Sequence, residues 1–148
     1  MNKIAYVVIV VIAVAVVGLF SSGIFNEKTS EITDAAAFVS GSGVYRILPL
    51  DIGAGSEMDV LLNVSVGSHE YYIIDEQIPQ GWNVIDNGGG SFADSHLKWV
   101  VFSAPENRLI KYRISAPDKT GLYTFSGKFV FDSDEEKYII GNSEIDVK

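Results

Sequence analysis

Chemistry in this chain has to come from a short roster of side chains. Among its 148 residues are two histidines, His69 and His96, and no cysteine. Thiol nucleophiles, disulfides and thiolate metal sites are therefore excluded. A serine–histidine–aspartate set can be drawn from Asp94, Ser95 and His96. Neighbours in one strand point to opposite faces, however, so three consecutive side chains cannot converge as nucleophile, base and orienting acid. Both histidines read as surface loop residues, and the chain reads as non-catalytic and without a cofactor.

Carboxylates are concentrated at Asp132, Asp134, Glu135 and Glu136, four within five residues. Calcium takes several oxygen ligands of this kind. The EF-hand spacing is absent and no glycine falls inside the cluster, so a solvated hairpin tip is the plainer reading. Asp86, Asp94 and His96 flank Gly88-Gly89-Gly90 as a second conceivable metal group, which a simple glycine loop explains as well. Asn63-Val-Ser65 is an N-glycosylation sequon, with Asn63 on the expected outward face of its strand. Tyr71, Tyr72, Trp82 and Trp99 could stack against sugar, but bulky aromatics fill sandwich cores, and core placement is favoured. Arg108, Lys111 and Arg113 make a small basic spot, suited equally to internal ion pairing or to docking.

These residues lie on two very different stretches. Ile4–Phe20 is 17 residues long, and all but Gly18 are Ala, Val, Ile, Leu, Phe or Tyr. As a helix it spans roughly 26 Å, against roughly 30 Å of membrane hydrocarbon. Seven of the 17 are Val, a poor helix former in water. Lipid overrides that weakness, because a lone spanning segment must bond every backbone amide internally. Lys3 precedes the run, and Glu27, Glu31 and Asp34 follow it. The positive-inside bias puts the N-terminus in the cytoplasm and the rest outside. A cleaved signal peptide is the competing reading, with Ser21-Ser22-Gly23 as cleavage site, although the apolar run exceeds the usual span of about 7–15 residues. Residues 1–25 are thus a transmembrane helix or signal peptide, and residues 26–42 a polar linker or stalk.

From residue 43 to 148 the hydrophobic period is two. Val60, Leu62, Val64 and Val66 alternate with Asp59, Leu61, Asn63 and Ser65, as in a half-buried strand. Similar runs recur at 44–52, 70–74, 82–85, 97–102, 109–115, 123–131, 138–140 and 144–147, separated by Gly, Pro, Asn and Asp turns. About eight to nine short strands without helical periodicity predict an all-β antiparallel sandwich. Asp118-Lys-Thr-Gly121-Leu-Tyr123 adds a turn of the kind that leads into a late strand of immunoglobulin-like domains, with Phe125 at the core position that follows. Every Asp and Glu lies after residue 25, and the chain carries 19 acids against 11 bases. Such a surface opposes nucleic-acid binding, where Lys and Arg must replace phosphate counterions.

Read end to end, residues 44–147 resemble an immunoglobulin-like β-sandwich domain that recurs in cell-surface proteins of methanogen-type archaea. The matching pieces are Arg46-Ile-Leu-Pro49, Met58–Val66, Glu76-Gln-Ile-Pro79-Gln-Gly81-Trp82, the Trp99 strand, Tyr112-Arg-Ile-Ser-Ala-Pro117, Thr120-Gly-Leu-Tyr-Thr-Phe-Ser-Gly127 and Gly141–Val147. The resemblance implies a surface module, here in one copy behind one membrane segment. The expected function is protein–protein or surface-layer interaction at the cell membrane. A filament subunit with the N-terminal helix in a fibre core, and a carbohydrate-binding module, are the alternatives.

Overall fold

A computed structural model describes residues 41–102 and 107–148. The membrane segment expected at 1–25 and the linker up to residue 40 lie outside the described residues. Within them the chain forms strands and connecting turns, with no helix.

Among the described residues thirteen strands make three sheets. The first is built from β1 (Gly43–Ile47), β3 (Glu57–Ser65), β5 (Asn83–Asp86), β8 (Arg108–Ser115) and β12 (Ile140–Gly141), in the order β12-β1-β3-β8-β5. The second contains β4 (Tyr72–Gln77), β6 (Ser91–Ala93), β7 (His96–Val101), β10 (Ser126–Phe131) and β11 (Lys137–Tyr138), in the order β11-β10-β4-β7-β6. A small third sheet sets β13 (Glu144–Val147) between β2 (Asp51–Ile52) and β9 (Gly121–Thr124). Pairing is antiparallel except for β1 with β12 and β2 with β13.

The alternation in β3 is the pattern that orients the first sheet. Val60, Leu62 and Val64 are completely buried, while Asp59, Leu61 and Asn63 face outward. Ile110, Tyr112 and Ile114 of β8 do the same beside them. The second sheet answers with Tyr72, Ile74, Leu97, Trp99, Phe129 and Phe131, giving a sandwich-like core. Each completely buried side chain of this size contributes roughly 1.5–3 kcal/mol of transfer free energy. Contacts between the sheets are specific as well as apolar: the rings of Trp99 and Tyr112 lie 5.8 Å apart.

Polar groups also lie in this core. Arg46 of β1 and Glu76 of β4 are 1% and 0% exposed and join the two sheets through a two-pronged ion pair, at 2.7 and 2.8 Å. Tyr112 donates its hydroxyl to the same carboxylate at 2.9 Å. Gly127 lies opposite Glu76 in the ladder, and a β-carbon there would collide with the Glu76 carboxylate and Ile139. Glycine at 127 is what leaves room for the charge.

Several expected strands are cut differently. The run 44–52 breaks at Leu48-Pro49-Leu50, where proline has no amide to give a ladder, and its two parts join different sheets. The run 123–131 divides at Phe125, whose amide bonds to Ser143 as the chain passes from the third sheet to the second. These two crossings, a third at Ile139 between β11 and β12, and the additional β6 raise the count from about nine to thirteen. Strand β6 was not expected, because all three of its residues are exposed and show no alternation. His96, expected in a loop, stands in β7.

Candidate functional site

The end of the sandwich where β1 begins gathers three polar side chains from distant parts of the sequence. Ser42 directly precedes β1, His69 lies in the β3–β4 connection, and Asp132 directly follows β10. Local structure sets each in place. Gly67 adopts a positive φ of 64°, and His69 N–H closes the turn onto Val66 carbonyl at 3.3 Å. Asp132 sits at φ 51°, a left-handed conformation that aspartate tolerates better than most side chains.

Asp132 is the organising group. Its Oδ1 accepts the backbone amides of Glu70 and Tyr71 at 2.8 and 2.9 Å, and its Oδ2 lies 2.9 Å from His69 Nδ1. The Tyr71 amide is the chief cause holding the Asp132 carboxyl below its ordinary value; partial burial works against it, and His69 and the Glu70 amide add to it. An ionised carboxylate only accepts hydrogen bonds, so His69 Nδ1 must carry the proton. In the neutral ring, Nε2 is then an acceptor, and it lies 3.1 Å from Ser42 Oγ. The ring is also fixed by stacking on Phe131, with centroids 4.9 Å apart and planes 7° apart. Asp134 Oδ2 lies 4.0 Å from the same His69 nitrogen, Nε2.

The second histidine has a different setting. His96 Nδ1 lies 2.6 Å from Asp75 Oδ1 across the β4–β7 ladder, and Lys98 takes the other oxygen at 3.0 Å. Partial burial pushes Asp75 up, but the bonds from His96 and Lys98 outweigh it and hold this carboxyl below its ordinary value. A groove of ≈ 360 Å³ runs past His96, Lys128 and Glu136; Lys128 and Glu136 pair with each other, and His96 is taken by Asp75. Asp94 and Ser95 form the tight β6–β7 turn, both at positive φ, and do not join His96 as a triad.

The other sequence candidates fall as follows. Of the four carboxylates at 132–136, Asp132 is engaged by amides and His69, and Glu136 pairs with Lys128 at 2.7 Å. Among the described residues no group of three or more His, Asp or Glu is arranged to hold a metal ion. Asp86 accepts the amide of Gly88 within its own turn. Asn63 faces outward from central strand β3. Tyr123 donates its hydroxyl to the Lys119 carbonyl at 2.8 Å, closing the turn from Asp118 through Gly121, and Phe125 is buried. Tyr72, Trp82 and Trp99 are 0, 6 and 3% exposed, so these rings are core and form no sugar platform. Lys111 and Arg113 both pair with Asp59, making the basic spot an internal ionic patch.

Sequence reasoning missed Ser42, His69 and Asp132 as a group because 27 and 63 residues separate their positions. The β4–β10 register, with Phe131 opposite Tyr72, is what brings Asp132 beside the His69 turn. No known family model matches the chain, and no curated protein matches it.

Proposed function

We propose that the chain is a single-pass membrane protein that displays one immunoglobulin-like sandwich on the outer face of an archaeal-type cell membrane. There it binds other surface or membrane proteins. The observation that carries this reading is the order of parts: the apolar run Ile4–Phe20, a polar stalk, and a folded all-β body whose first strand opens at Gly43. The turn closed by Tyr123 and the buried Phe125 support the immunoglobulin-like assignment. Fold alone does not name a role, so the function rests on topology.

The physical mechanism is tethering. The apolar segment confines the body near the membrane, the stalk gives it reach, and outward-facing residues such as Leu109, Leu122 and Ile140 offer contact area. Partners can also extend a sheet by pairing with an exposed strand edge. The absence of cysteine allows a clean test. Leu122→Cys, on an exposed position of β9, is expected to react with a membrane-impermeant maleimide on intact cells, whereas Asn2→Cys reacts only after lysis. Leu122→Cys labelled only after lysis would refute the topology.

A further inference from the structure

We propose that Ser42 is an activated nucleophile and that Ser42, His69 and Asp132 together hydrolyse small activated esters. This activity goes beyond tethered display and does not depend on it. Three geometric facts carry the inference. Ser42 Oγ lies 3.1 Å from His69 Nε2, within reach for proton transfer. His69 Nδ1 lies 2.9 Å from Asp132, which fixes the tautomer that leaves Nε2 free to take a proton. Asp132 is itself held by two backbone amides, and the ring by Phe131, so the base is oriented before any substrate arrives.

The reaction has two balanced halves. Ser42 Oγ attacks the ester carbonyl while its proton passes to His69 Nε2. The imidazolium so formed stays bonded to Asp132, and Asp134 lies 4.0 Å from the same nitrogen as a second negative charge. The carbon–oxygen bond to the leaving group then breaks, and the leaving alkoxide takes the proton from Nε2. Water, deprotonated by the same nitrogen, attacks the acyl-serine, releases the acid and restores Ser42 Oγ–H. No oxidant, metal or further co-reactant enters the balance.

The substrate class follows from exposure and magnitude. The His69 and Asp132 side chains are 21 and 31% exposed, so the cluster lies on an open rim. General-base assistance alone is worth about 10²–10⁴-fold. An open site with that assistance acts on small esters that carry a good leaving group, and it lacks the enclosure that amide cleavage demands.

The test treats the purified full-length chain with a fluorophosphonate probe and locates the adducts by peptide mass spectrometry. Exposed Ser56 serves as the internal reference. Ser42 is expected to react about 10²-fold faster than Ser56. Ser42→Ala should abolish that adduct and the hydrolysis of p-nitrophenyl acetate, and His69→Gln should lower both about 10²-fold. Asp132→Asn keeps an oxygen for the two amides but reverses the tautomer preference. It should therefore slow labelling without changing the thermal midpoint as much as the rate. Equal rates at Ser42 and Ser56 in the unmodified chain would overturn the proposal whatever the variants do, as would labelling at Ser42 that is indifferent to His69→Gln in a folded protein.

Discussion

Glu76 and Asp132 each accept three hydrogen bonds, yet one lies between the sheets and the other on the rim. Glu76 receives two from Arg46 and one from Tyr112 and is completely buried. Asp132 receives two from backbone amides and one from His69, and remains 31% exposed. Burial pushes the Glu76 carboxyl above its ordinary value despite Arg46, while Asp132 is held below. The same number of bonds therefore gives opposite outcomes, and the depth of burial sets the sign. At the centre the partners are locked together and the group is structural. On the rim the last member of the chain is the hydroxyl of half-buried Ser42.

That contrast breaks most visibly at the centre. Glu76→Leu leaves the Arg46 guanidinium buried without its counter-ion, and urea unfolding is expected to show a loss of about 3–5 kcal/mol. Combining Arg46→Met with Glu76→Leu should recover most of the loss, because no buried charge is then unpaired. A double variant as unstable as the sum of the singles would show that the two side chains act independently.

Gly127→Ala comes next. Its methyl group enters the space of the Glu76 carboxylate and Ile139, and the expected cost is about 1–3 kcal/mol in the same assay. Unchanged stability would mean that the carboxylate moves aside freely.

Acid separates the two carboxylates by slope. Asp132 titrates below the usual aspartate value of 3.8, so its contribution is present above pH 3.8 and is lost as pH falls through its lowered value. Glu76 titrates above 4.5, so its contribution is full below that pH and fades as pH rises through its raised value. The urea midpoint of Asp132→Asn should therefore fall less steeply than that of the parent below pH 3.8. An identical acid limb would remove Asp132 from the account.

The smallest effect belongs to the outer face of the first sheet. Asp59 pairs there with Arg113 at 2.8 Å and Lys111 at 3.5 Å, all three well exposed. Asp59→Ala should shift the thermal midpoint least of the series. Any shift should disappear at 1 M salt, where screening acts over about 3 Å. A larger shift than that of Gly127→Ala would invert the ranking by burial.

The sequence and the structure agree where a short-range pattern suffices. The two-residue period of Val60–Val66 announces both a strand and its buried face, and Asp118–Tyr123 announces a closed turn. Strand crossings at Pro49 and Phe125 are less legible, since which sheet a segment joins depends on partners far away in sequence. The core ion pair was hidden for a related reason. Arg46 and Glu76 each stand at an inward position of their strand, but only the facing of two sheets shows that they meet. Ser42, His69 and Asp132 were the least legible, because the search for a triad among neighbours fails on strand geometry and the real neighbours come from register.

The proposed topology joins a membrane-held segment and a displayed sandwich in one chain. Its most direct test is the mass of the native protein in membrane and medium fractions. The account predicts a chain beginning at Met1 or Asn2, found in the membranes alone. A chain beginning near Ile24 and released to the medium would contradict it, since the apolar segment would then be a discarded signal and the sandwich a secreted module.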